Sequence, residues 1–146
     1  MESETKLVNA VLDTIIPASE DGTRPGAGSL DLSEAIREAS GDFWPSTLQG
    51  LLTLDEHARQ SGASGFEDLP LQDRSDLLSR SEESHPGLLP SLVFQTYSAY
   101  YRHPQALEAL GLEARPPFPK GVELEEGDPS LLEPVRRRAP FYRKTE

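Results

Sequence analysis

The chain has 146 residues, 36% of them hydrophobic and 27% charged, with 25 acidic against 14 basic side chains and a formal net charge of −11. That length supports one compact core, which removes roughly 70% of the unfolded chain's surface, and is too short for two full-sized ones. The lack of cysteine excludes disulfide frameworks, thiolate zinc sites, iron–sulfur clusters, covalent haem attachment and a cysteine nucleophile. Residues 1–110 hold 18 acids and 7 bases, while residues 111–146 hold 7 of each. The globular part therefore carries the whole imbalance and repels phosphate backbones, so nucleic acid is not an expected partner. No apolar run approaches the roughly 20 residues of a membrane span, so no direct membrane insertion is expected. Met1-Glu2-Ser3-Glu4 lacks the basic and apolar regions of a secretory signal. As written the chain is expected in the cytoplasm, and in the periplasm only if a partner or a leader carries it there.

Leu7, Val11 and Ile15, with Val8, Leu12 and Ile16, form two adjacent i, i+4, i+8 rows, which predicts a helix over 7–16 buried along a wide stripe. Pro17 ends it, and Ala18 to Ser29 is a loop punctuated by Gly22, Pro25, Gly26 and Gly28. Ser29 or Asp31 is expected to cap a short helix containing Leu32, Ala35 and Ile36, ended by Ser40-Gly41. A further helix starts near Asp42 with Pro45 in its first turn, faces the core with Trp44, Leu48, Leu51 and Leu52, and runs out at Ser61-Gly62. Ser64-Gly65-Phe66-Glu67 matches a capping box, followed by a short turn to Leu69 and a helix from Pro70 to about Ser81 with Leu71, Leu77 and Leu78 inward. The second strong helix spans 88–102, with Leu89, Val93, Tyr97 and Tyr101 in one row and Leu92 and Tyr100 beside it. It is expected to pack on the first helix. His103-Pro104 breaks it, residues 105–110 add about two turns, and Gly111 stops them. Beyond Leu112, six of the thirteen prolines and alternating charge blocks predict an extended tail. No run alternates long enough to need a sheet. The fold class is all-α: one small domain of about five to six helices over 1–111, then the extended, proline-rich C-terminal tail 112–146.

Candidate chemistry is sparse. The Gly-rich loop 22–28 suggests phosphate, but no Walker lysine follows its second glycine, Asp31 stands where a dinucleotide fingerprint needs its third glycine, and a helix rather than a strand precedes it. A plain helix-to-helix connection is the better reading. His57, His85 and His103 lack the i+4 spacing of a helical metal pair, and the neighbours Asp55-Glu56-His57 point in different directions on a helix. Glu82-Glu83 and Glu125-Glu126 read as surface charge. No nucleophile elbow or triad signature is present. The chain on its own is not expected to be an enzyme or to hold a metal or cofactor. Tyr97, Tyr100 and Tyr101 sit at core spacing, but neighbours on a helix diverge by about 100°, which turns one of Tyr100 and Tyr101 outward. The run 136–144 combines five bases with Phe141 and Tyr142. It reads either as a tail folded onto the acidic globule or as a docking segment.

Three ordered stretches resemble the gluconate 2-dehydrogenase subunit 3 family: Leu12-Asp13-Thr14-Ile15-Ile16-Pro17-Ala18 with Pro25-Gly26-Ala27-Gly28; Phe66-Glu67-Asp68-Leu69-Pro70 with Arg74 and Leu77-Leu78; and Tyr100-Tyr101-Arg102-His103-Pro104 with Ala109-Leu110-Gly111. The resemblance implies a non-catalytic accessory subunit that binds a large FAD-dependent dehydrogenase of the glucose-methanol-choline type, often with a cytochrome subunit, and supports its maturation or stability. FAD is then expected in the partner, not in this chain. Family members often bear a twin-arginine leader, which is not found in this sequence. The residues expected to meet the partner are Pro17, Gly26, Gly28, Tyr100, Tyr101, Pro104, Arg136, Arg137, Phe141 and Tyr142. The rival reading is a free-standing helical binding protein that takes an apolar or sugar-like ligand between the first and late helices.

Overall fold

The computed structural model describes residues 2–115 and 127–138, and all regular structure among them is helical. The helices are α1 (Glu2–Ile15), α2 (Ser33–Ser40), α3 (Trp44–Gln60), α4 (Leu71–Ser84), α5 (Leu88–Tyr100), α6 (Pro104–Ala109) and α7 (Glu133–Arg136), with 3-10 turns at Ala27–Ser29, Gly41–Phe43, Phe66–Asp68 and Pro129–Leu132. The chain divides into two units, Met1–Pro116 and Pro117–Glu146. No described helix is long and apolar enough to cross a membrane.

In the first unit α1 is the most deeply used helix. Leu7, Val8, Ala10, Val11 and Leu12 are all buried, as the double row requires, and each buried leucine or valine contributes roughly 1.5–3 kcal/mol. The helix packs on the turn at Ala27–Ser29, on α4 and on the turn at Phe66–Asp68, while α5 packs chiefly on α2 and α4 and also meets α1. Ile36, Leu51, Leu54, Phe66, Leu78 and Leu92 complete the centre. Ile15 and Val93, members of the apolar rows expected to be buried on α1 and α5, are only half-buried.

Several local expectations are corrected, each by a polar group that finds a better partner. No side chain caps α2: Leu32 occupies the cap position, Ser29 donates to the Gly26 carbonyl at 2.7 Å, and Asp31 takes a left-handed φ of 57°. The capping box at Ser64 does not form. The Phe66 amide donates instead to Asp55 Oδ1 of α3 at 2.9 Å, which couples the turn to a helix rather than to its own neighbour. On α3 the buried face is Thr47, Gly50, Leu51, Leu54 and Ala58, and Leu52 points outward. Gly50 sets that face, because a methyl there would stand 2.6 Å from Leu88 Cδ2. Leu71, at the start of α4, is exposed rather than inward. Glu82, read as surface charge, accepts from the Leu89 amide at 3.1 Å and the Gly87 amide at 3.3 Å. It thereby satisfies amides that the start of α5 leaves without helical partners.

The buried row of α5 is Leu88, Leu92, Thr96 and Tyr100, one position away from the expected Leu89, Val93, Tyr97 and Tyr101. Thr96 makes that row buriable: its hydroxyl donates to the Leu92 carbonyl at 2.6 Å, so a polar residue sits in the core with its hydrogen bond made within the helix. The expected row, turned by about 100°, ends in exposed Tyr97 and Tyr101. Gly111, with φ of 72°, closes α6 in the left-handed conformation.

In the second unit, residues 127–138 form two short helical turns within the stretch expected to be extended. Pro129 and Pro134 occupy first-turn positions, where a missing amide costs nothing. The Ser130 side chain first, and then the Ser130 amide, which donates to Asp128 at 2.9 Å, hold the Asp128 carboxyl below the usual value.

Candidate functional site

The C-terminal end of α1 is tied into a knot by residues from three other parts of the first unit. Asp13 Oδ1 accepts the Gly28 amide at 2.8 Å, and the Ile16 carbonyl accepts the Ala27 amide at 2.9 Å. Tyr100 reaches across from α5 and donates its phenol to the Pro25 carbonyl at 2.8 Å, with burial pushing that phenol above its ordinary pKa. From α4, Arg74 donates to the Ala10 carbonyl at 3.2 Å. The loop between is pinned by Asp21, which accepts from the Ser19 hydroxyl at 2.6 Å, the Thr23 hydroxyl at 2.8 Å and the Thr23 amide at 3.1 Å. These bonds, led by the one from Ser19, lower the Asp21 carboxyl to about 2. The anion that the Gly-rich segment binds is thus the chain's own Asp13, which explains why the loop has glycines without phosphate-binding partners.

Beside the knot, an open groove of about 650 Å³ runs between the loop of Pro17, Ala18, Glu20, Asp21 and Arg24 and the side chains of Tyr97, Tyr100, Tyr101 and Leu110. The rings of Tyr97 and Tyr101 lie 5.8 Å apart at 44°, and Tyr100 meets Tyr101 edge-on at 5.2 Å. Tyr97 and Tyr101 are about half exposed, and Phe94, one turn earlier, is 74% exposed. The thirteen residues of α5, Leu88–Tyr100, contain no charged side chain, although over a quarter of the whole chain is charged. Their solvent side consists of Pro90, Ser91, Phe94, Tyr97 and Ser98. A surface helix normally covers that side with charge.

The residues singled out in the sequence fall into separate groups. Gly26, Gly28 and Tyr100 are interior parts of the knot. Pro17 and Tyr101 border the groove, and Pro104 is exposed at the start of α6. Arg136 and Arg137 lie in the second unit, exposed and facing Glu133 at 3.3 and 4.0 Å. Phe141, Tyr142 and Glu125-Glu126 lie outside the described residues. Apolar spacing places Tyr97 in a core row and gives no place to Phe94, so it does not reveal the exposure of either. The signal that exposes them is the absence of charge along the whole of α5. His57 is on α3, His85 follows α4 and His103 precedes α6. Among the described residues no three His, Asp or Glu side chains are grouped to hold a metal ion.

The described part of the first unit is thus an all-helical domain with a self-satisfied loop knot and an uncharged, partly aromatic helix face. The chain belongs to the gluconate 2-dehydrogenase subunit 3 family, whose model matches residues 2–113. The match takes in α1 to α6, including the knot and the groove. No curated protein and no solved structure matches the chain.

Proposed function

We propose that this chain is a non-catalytic accessory subunit that binds a large FAD-dependent dehydrogenase subunit of the glucose-methanol-choline type and supports its maturation or stability. The observation that carries the reading is the uncharged face of α5. The centres of protein interfaces are depleted in charge and enriched in aromatic residues, and Phe94, Tyr97 and Tyr101 follow the i, i+3, i+7 spacing of helix anchors that enter a partner's groove. Membership in a family described as a numbered dehydrogenase subunit supports a larger complex, in which the flavin belongs to the partner and a cytochrome subunit is a further member. The net charge of −11 disfavours a second copy of this chain as the occupant, because two such surfaces repel. The basic segment beginning at Arg136 serves as a second docking element in this reading.

The rival, a free-standing binder of an apolar or sugar-like ligand, would place that ligand between α1 and α5. The space there is an open groove, whereas small-molecule sites bury most of the ligand. The test is affinity purification of the tagged chain from its native host, followed by flavin absorbance and mass spectrometry of what accompanies it. A large flavoprotein at stoichiometric yield is the expected result. Recovery of the chain alone, or with a bound small molecule, would refute the subunit reading.

A further inference from the structure

The groove beside α5 has a chemistry distinct from that of the bare helix face. One wall is aromatic, formed by Tyr97, Tyr100 and Tyr101, and the other is the loop that carries Glu20, Asp21 and Arg24. Asp21 receives its three hydrogen bonds on Oδ1, which leaves Oδ2 open to a further donor. Its carboxyl stays ionised through any physiological pH. Two acids against one base leave the loop net negative, on a unit whose first 110 residues carry 18 acids and 7 bases. Long cationic side chains suit such a place: the methylene stem lies along ring surface while the charged head stays near water and carboxylates, and a cation over a tyrosine face gains a further attraction.

We infer that the groove receives a cationic segment of the partner, an arginine or lysine flanked by apolar residues, with its stem against Tyr97 and Tyr101 and its charge between Glu20 and Asp21. This rests on the subunit reading and adds to it the chemistry of the segment bound. The two charges of the loop act in opposite directions on such a ligand. Removing acid weakens it, and removing Arg24, which repels it, strengthens it. A merely structural role of the loop would produce losses only.

The test uses the full chain and a ten-residue synthetic peptide with an Arg-Leu-Arg centre, followed by amide chemical shifts. Two control peptides replace both arginines by Glu or the leucine by Ser. The arginine peptide should move resonances of residues 18–24, 97–101 and 110, the Glu peptide should not, and the Ser peptide should bind more weakly. Glu20→Gln with Asp21→Asn keeps the oxygen acceptors that organise the loop and should weaken binding by about threefold or more, while Arg24→Gln should tighten it, both within the range of exposed charge pairs. Equal binding of the arginine and Glu peptides, shifts centred elsewhere, no shifts at all, or weakening by Arg24→Gln would each overturn the inference. Peptide binding at the groove without recovery of any flavoprotein from the host would uphold the groove's chemistry for a cationic segment and reject the subunit reading. Flavoprotein recovery without peptide binding would do the reverse.

Discussion

Gly28→Ala offers the sharpest test of the knot. A methyl at this position would run into the Asn9 carbonyl oxygen of α1 and stand 2.6 Å from Asp13 Oδ2 and 2.7 Å from Asp13 Cγ. Neither neighbour can yield cheaply. The carbonyl belongs to the helix backbone, and the carboxylate is held in place by the Gly28 amide itself at 2.8 Å. The turn must therefore move away from α1. That move gives up a hydrogen bond to a charged group, about 1.5–3 kcal/mol, and adds overpacking strain of about 1–3 kcal/mol. A total of about 3–5 kcal/mol corresponds in a domain of this size to a fall of roughly 10–20 °C in melting temperature. The control is Gly62→Ala, where φ is +98° and nothing lies within 4 Å of the added atom. Only backbone strain acts there, about 1–2 kcal/mol. Calorimetry or circular dichroism melts of the three proteins decide the matter. The packing argument fails if Gly28→Ala melts within about 3 °C of the parent, or if Gly62→Ala is as damaging.

Phe66→Ala removes a fully buried ring and should cost about 3–5 kcal/mol, measured by urea unfolding; a loss below about 1 kcal/mol would contradict its central place. Tyr100→Phe deletes the bond to the Pro25 carbonyl and should cost about 0.5–1.5 kcal/mol. The same variant isolates the Tyr100 phenol in alkaline ultraviolet titration. Since burial raises its folded pKa above 10.0, the stability linked to its neutral form is present below that value and lost as pH rises through the folded one. A Tyr100 signal that titrates below 10.0 would refute the buried placement. At the acid end, Asp21 sits at about 2 against an ordinary 3.8. Its bonds therefore favour the fold above 3.8 and are lost as pH falls through about 2. Ser19→Ala removes the largest cause and should move the Asp21 carboxyl titration upward by carbon NMR, and an unmoved midpoint would show that the loop is held otherwise.

The sequence announces the fold where apolar rows are unbroken. Both rows of α1, the stop at Pro17 and the left-handed Gly111 follow from local rules, and the structure has them. It misleads where a polar residue is satisfied at a distance or inside its own helix. Thr96 is buried because it bonds to Leu92, and a reading by apolar spacing turns α5 onto its neighbouring row. Asp55 takes the Phe66 amide from eleven residues away, so the capping box next to it is idle. The motif Asp13 with Gly26 and Gly28 was visible as a resemblance, but its meaning as an internal carboxylate clamp needs the fold. Phe94 belongs to no apolar row, and its importance emerges only when the missing charge on α5 is set beside its exposure.

The most direct measurement co-produces the chain with a candidate large FAD-dependent dehydrogenase subunit from its host and compares the parent with Phe94→Ser. Phe94 is 74% exposed, so the substitution should leave the melting temperature of the isolated chain nearly unchanged, within about 0.5 kcal/mol. If α5 is the docking face, loss of a central aromatic anchor costs about 2 kcal/mol or more of association, and recovery of soluble flavin-loaded partner falls by roughly thirtyfold in affinity terms. Undiminished recovery with Phe94→Ser, or a partner that reaches the same yield without this chain, would contradict the account.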